Sequence, residues 1–252
     1  LLVGKATGGQ SSEIYELDPK TKKLTPLLGQ GEKELYMARY GEGPGDVIVL
    51  TDKLGEFFRL YVLRKGKLTP LGDEAKADVE PGFHVTRGAT PRILYSLNEG
   101  GYSRLRALDA RSGKALRVPE VPGAEQATWS DAPDSGRVAV VIAGDGRSPA
   151  GPWLVDNATG KPEAWTTPSS PELSRVVKAE LEMYPARDGT KIPAFVRMPE
   201  ACKSAVCPVL VQFHGGPESQ ARPGFAPTLQ AFVDAGYIVV EPNVRGSSGY
   251  GK

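Results

Sequence analysis

The 252-residue chain is 40% hydrophobic and 24% charged, a balance ordinary for one large or two average globular domains. Its formal net charge of +1 provides no field to steer polyanions and no Lys/Arg run is interleaved with aromatics, so nucleic acid is not an expected partner. No stretch approaches the ~20 apolar residues of a membrane span, and no carboxylate cluster or Cys/His set has metal-ligand spacing.

The start, Leu1-Leu-Val-Gly4, lacks an initiator Met, a basic segment and a long apolar run, so it reads as a cut inside a longer chain. A repeat then governs the first two thirds. Ile14-Tyr-Glu-Leu-Asp-Pro-Lys-Thr-Lys-Lys-Leu24, Leu60-Tyr-Val-Leu-Arg-Lys-Gly-Lys-Leu68, Leu105-Arg-Ala-Leu-Asp-Ala-Arg-Ser-Gly-Lys-Ala115 and Trp153-Leu-Val-Asp-Asn-Ala-Thr-Gly-Lys161 share strand, polar turn and second strand. Leu17, Leu63, Leu108 and Val155 follow at steps of 46, 45 and 47 residues. Two further strand candidates lie between copies, for instance Pro91–Leu97 and Gly136–Ile142. Four short strands per ~45 residues is the signature of a β-propeller blade. The expectation is a partial propeller over 1–166: whole blades at 30–71, 76–118 and 122–166 and the last two strands of an earlier one. Asp18, Asp109 and Asp156 recur as turn formers. His84 reads as an ordinary blade residue. Asn157-Ala-Thr159 matches a glycosylation sequon but reads as hairpin-turn chemistry.

Thr166-Thr-Pro-Ser-Ser-Pro-Glu172 can neither continue a helix nor pair in a central strand, which places a linker at 167–177. From 178 to 252 the pattern changes. Ala179–Tyr184 and Lys191–Arg197 form a hairpin around the turn dipeptide Asp188-Gly189. Cys202 and Cys207 bracket a short polar loop: a disulfide there implies an oxidising, extracytoplasmic compartment, and two reduced thiols a cytoplasmic one. The β-branched runs at 209 and 237, with a helical segment between them, predict strand, helix, strand in a parallel sheet. Phe225, Leu229, Phe232 and Val233 form its apolar face, with Gly236 as the stop.

Two phrases follow those strands: Phe213-His-Gly-Gly-Pro217 and Asn243-Val-Arg-Gly-Ser-Ser-Gly-Tyr-Gly251. Together with Tyr184-Pro-x-x-Asp188-Gly-x-x-Ile192-Pro-Ala-Phe195, they resemble the prolyl oligopeptidase family of serine peptidases, in particular its acylaminoacyl-peptidase-like branch. The resemblance is specific from about residue 178 onward and weak in the repeats. It implies a fold of about three and a half propeller blades followed by the N-terminal part of an α/β-hydrolase domain.

That family uses Ser in a G-x-S-x-G elbow, then Asp, then His. These 252 residues contain no such elbow: Ser248 fails because Tyr250 stands where the last glycine belongs, and Ser247 because Arg245 stands where the first belongs. None of the triad is expected here, and the chain alone is expected to be inactive. The resemblance gives Gly216 the role of oxyanion donor through its N–H, with Gly215 leaving room for the substrate carbonyl. Tight-turn geometry would also call for glycines. His214, Pro217, Arg245, Gly246 and Tyr250 become structural residues of the active-site loops, with His214 holding its turn by hydrogen bonding. The parent enzyme would hydrolyse short peptides through an acyl-enzyme without a cofactor.

Two other readings stand beside this one. The chain could be a non-catalytic propeller that binds other proteins. Gly246 to Lys252 also has the spacing of a nucleotide-binding P-loop, although Pro242–Arg245 separates it from the strand and no Ser or Thr follows the Lys.

Overall fold

The computed structural model describes residues 1–72, 76–166, 171–216 and 218–252. The chain opens with a three-stranded meander, β1 (Leu2–Gly8), β2 (Ser11–Leu17) and β3 (Leu24–Leu28). That is one strand more than the repeat predicts. β1 has little apolar alternation of its own, but its backbone pairs with β2 from Leu2 opposite Glu16 to Ala6 opposite Ser12.

A second sheet follows in chain order: β4 (Met37–Tyr40), β5 (Val47–Thr51), β6 (Arg59–Arg64) and β7 (Lys67–Pro70). The third holds β8 (Asp78–Val79), β9 (His84–Val85), β10 (Arg92–Glu99) and β11 (Tyr102–Asp109). β8 and β9 both pair with β10, Val79 opposite Leu97 and Val85 opposite Ile93. They are two ends of one strand interrupted around Pro81-Gly82, since proline cannot donate to the ladder. The strand expected after the Asp109 turn is reduced to one bridge, Leu108 to Ala115. The fourth sheet is again a meander, β12 (Gln126–Asp131), β13 (Val138–Gly144), β14 (Gly151–Asp156) and β15 (Lys161–Ala164).

These sheets stack face against face, and alternation along a strand sends neighbouring side chains to opposite cores. In β5, Ile48 and Leu50 join Val79, Phe83, Ile93 and Leu97 of the third sheet. Val47 and Val49 join Ile14 of the first sheet and Tyr36. The third sheet is covered in the same way, with Leu94 and Leu105 packed among Trp129, Val141 and Val155. Burial on both faces explains why β5 is a continuous apolar run. At three of the repeat hairpins the same Asx turn recurs: Asp18 accepts from the Lys20 and Thr21 amides, Asp109 from Arg111 and Ser112, Asp156 from Ala158 and Thr159.

The linker expected at 167–177 lies partly outside the described residues, which omit 167–170; Pro171–Arg175 make one 3-10 turn. The last sheet is β16 (Glu180–Pro185), β17 (Lys191–Arg197), β18 (Val209–Val211) and β19 (Ile238–Pro242), in the order β16-β17-β19-β18. β18 and β19 are parallel and need the crossover that α1 (Pro227–Asp234) supplies. The helix begins at Pro227, so Phe225 falls outside it. Val233 is buried, whereas Phe232 is 39% exposed and stacks edge-on against Tyr237. The predicted four-residue apolar face is therefore not all core: the buried residues of the helix are Gln230 and Val233. Gly236, at φ +89°, closes the helix.

The last sheet meets the third at Phe195. Its ring is fully buried, sits edge-on to Tyr102 with centroids 5.7 Å apart, and covers Gly101, where a Cβ would come within 2.7 Å of the ring. Beside it Arg197, buried, pairs with Glu241 and donates to the Gly224 carbonyl at 2.9 Å. Burial pushes the Glu241 carboxyl above its usual range, against the pull of Arg197.

Candidate functional site

Because β18 and β19 run parallel, the loops that leave their carboxyl ends emerge side by side, the usual place for a site in an open α/β sheet. The first loop carries His214, Gly215 and Gly216, and the second runs from Asn243 to Lys252. One contact joins them: His214 Nε2 lies 2.8 Å from Ser247 Oγ. Ser247 is buried, and its amide donates to the Val244 carbonyl at 3.0 Å. Gly216 has φ +64°, a left-handed conformation that favours glycine. A Cβ at Gly215 or Gly216 would meet nothing within 4 Å, so the turn is open on its outer face.

The second loop is braced by Asn243, which is buried. Its Oδ1 accepts from the Ala221 amide at 2.7 Å, and its Nδ2 donates to the Ala221 carbonyl at 3.1 Å and to the Tyr250 hydroxyl at 2.9 Å. Gly246 takes φ +88°. Arg245 is directed elsewhere: its Nη2 donates to both Asp188 oxygens at 2.6 Å, tying the loop to the β16–β17 turn. The Thr190 amide, and then Arg245, hold the Asp188 carboxyl below its usual value. Pro217 lies outside the described residues.

Residues 243–252 form loop and turns, and the Lys252 amine donates to the Asp52 carbonyl at 3.0 Å. Asn243, Val244 and Arg245 stand between β19 and Gly246, so the strand does not lead tightly into the glycine spacing as a P-loop requires. Cys202 and Cys207 are joined as a disulfide, Cα atoms 5.7 Å apart, before β18. His84 is half-buried, and burial, then Arg39, push its imidazole down. A cavity of about 690 Å³ lies behind the second loop against Phe58 and Asp78; Gly215 and Gly216 do not line it. Among the described residues no His/Cys/Asp/Glu group could hold a metal, and no helix is long and apolar enough to cross a membrane.

Sequence reasoning missed Asn243 as the brace of the site, although it heads the phrase that named the second loop. It also missed Asp78, Asn98 and Gln220, which touch that loop from far away in the chain and sit among ordinary strand and loop polar residues.

No family model matches the chain. Among curated proteins it is similar to dipeptidyl-peptidase 5 of Aspergillus oryzae, 44% identical over 73 residues, which is 28% of this chain and 10% of the relative. It is similar along its whole length to a prolyl endopeptidase of Elizabethkingia meningoseptica, 23% identical over 257 aligned residues and 36% of the relative. The chain thus spans little more than a third of the length of the one relative, and a tenth of the other. Among solved structures, a prolyl endopeptidase superposes with a TM-score of 0.82 at 21% identity, over 100% of this chain and 37% of that one. A puromycin hydrolase superposes with a TM-score of 0.80 at 21% identity, over 100% and 40%. An acylaminoacyl peptidase of Pyrococcus horikoshii gives 0.69 at 18%, over 99% and 39%.

The likeness to these solved structures extends over the stacked antiparallel sheets and the closing βαβ unit alike. Along its whole length the chain is similar to peptidases and shares their fold.

Proposed function

We propose that the protein is a serine peptidase that hydrolyses short peptides through an acyl-enzyme, with residues 1–166 as part of a β-propeller, 167–177 as linker and 178–252 as the N-terminal portion of an α/β-hydrolase domain. The observation that carries this reading is the His214–Ser247 contact at 2.8 Å, which holds an open Gly215-Gly216 turn at the carboxyl end of a parallel strand. An N–H presented there can donate to a carbonyl oxygen as it gains charge, a contribution typically worth ~3 kcal/mol of barrier. Gly216 is the donor in this reading, and Gly215 leaves the approach clear. His214, Arg245, Gly246, Tyr250 and Pro217 shape the two loops and move no proton. The nucleophile and base lie outside these 252 residues, so the chain alone is inactive. The Cys202–Cys207 disulfide favours an extracytoplasmic home.

The test is hydrolysis by the whole gene product of short peptides bearing a chromogenic leaving group, with and without a fluorophosphonate. Hydrolysis abolished by the inhibitor is the expected result. A pure, folded whole gene product that neither cleaves any such peptide nor takes up the inhibitor would overturn the proposal.

A further inference from the structure

The loop that carries Ser247 is seated on residues of the stacked sheets as well as on its own sheet. Gly249, at φ +89°, is pressed so closely onto the third sheet that a Cβ would lie 2.4 Å from Asn98 Nδ2 and 2.7 Å from Gln220 Nε2. Asn98, in β10 and 4% exposed, is fixed at both ends of its amide. Its Nδ2 donates to Gln220 Oε1 at 2.8 Å, and its Oδ1 accepts from the Gly101 amide at 2.8 Å. On the other side of Gly249, Asp78 of β8 accepts from the Phe58 amide at 2.7 Å and also faces the Gly249 amide. Next to Gly249, the Ser248 amide donates to the Ser219 carbonyl at 3.0 Å. Two residues before Gly249 stands Ser247, the partner of His214.

We infer that Asn98 is a positioning residue for the Gly215-Gly216 turn. It sets the height of Gly249, hence of Ser247, hence of His214, whose neighbour in the chain is Gly215. The contact needs a short planar amide on the strand and no side chain on the loop. Its consequence for catalysis rests on the peptidase reading, whereas the mechanical coupling does not.

The chain contains two histidines, His84 and His214, so imidazole NMR resolves the site from an internal reference in the sheets. In Asn98→Ala the His214 ring nitrogen signals are expected to shift away from their native positions while those of His84 stay. Gly249→Ala should displace His214 further, and Asn98→Ala combined with Gly249→Ala should bring it partly back, because the new methyl takes the space of the lost amide. Native His214 signals in Asn98→Ala, with His84 native, would overturn the inference. If Gly249→Ala fails to fold, which loss of the native His84 signals would reveal, Asn98→Ala still decides. In a whole gene product with peptidase activity, Asn98→Ala should lower kcat about ten- to a hundredfold at unchanged KM. A rise in KM alone would contradict the positioning role. A whole gene product without activity would instead count against the peptidase reading, and the His214 spectrum would still judge the coupling.

Discussion

Phe195→Ala removes the ring on which the last sheet rests against the third. The ring is 0% exposed and sits in the space that the missing Cβ of Gly101 leaves open, edge-on to Tyr102. Truncating a buried Phe costs about 3 to 5 kcal/mol, from lost transfer energy and the cavity left behind. The rigid neighbours here, glycine backbone and the β11 ladder, cannot collapse into the gap. About 0.5 to 1.5 kcal/mol of this belongs to the aromatic pair and should reappear as coupling with Tyr102→Ala. The loss falls on the last sheet. All three tryptophans, Trp129, Trp153 and Trp165, lie in or beside the fourth sheet, so their fluorescence reports on the stack and not on the joint. Amide hydrogen exchange separates the two. Residues 191–197 and 238–242 should exchange at least a hundredfold faster in the variant, with the tryptophan unfolding curve shifted less. Exchange in those strands within fivefold of the wild type would refute the view that Phe195 carries the joint.

Four further outcomes follow from the same structure. Arg197→Met leaves the buried Glu241 carboxylate without a counter-charge and should cost about 3 to 5 kcal/mol at neutral pH, read by urea unfolding; a loss below about 1 kcal/mol would contradict it. Reducing Cys202–Cys207, which closes a loop with a sequence separation of 5, should cost about 2 kcal/mol by loop-closure entropy, and an unchanged midpoint under reductant would count against that figure. Burial raises the Asp78 carboxyl, with Asp52 adding to the shift, so its contribution to stability is complete below the ordinary value of 3.8 and is lost as pH rises through the folded value. Asp78→Asn does not titrate, and should therefore gain stability relative to wild type between pH 4 and pH 7; parallel unfolding profiles across that range would exclude the effect. Asn157 is 8% exposed and its Nδ2 donates to the Gly136 carbonyl at 2.9 Å, so secretion from a glycosylating host should leave it bare, as peptide mapping would reveal.

The repeats were legible because burial on both faces leaves apolar strands, and because an Asx turn needs its aspartate at a fixed offset, as Asp18, Asp109 and Asp156 supply. What did not show was structure decided by a partner. β1 is specified by its pairing with β2, and the split of β8 from β9 by a local proline that only the β10 register makes visible. In the site, Gly215, Gly216 and His214 stood out because they form a compact phrase, whereas Asn98 and Gln220 are 122 residues apart and meet only through tertiary contact. Periodicity cannot detect a pairing of that kind, because neither residue departs from its local pattern.

In the proposed reading these residues hold the oxyanion turn of a serine peptidase whose nucleophile lies elsewhere. Intact mass after fluorophosphonate treatment tests it most directly, with the 252-residue chain and the whole gene product treated side by side. An unmodified chain and a single adduct on the whole gene product are the expected result. A labelled 252-residue chain, or a folded whole gene product that takes up no label, would contradict it.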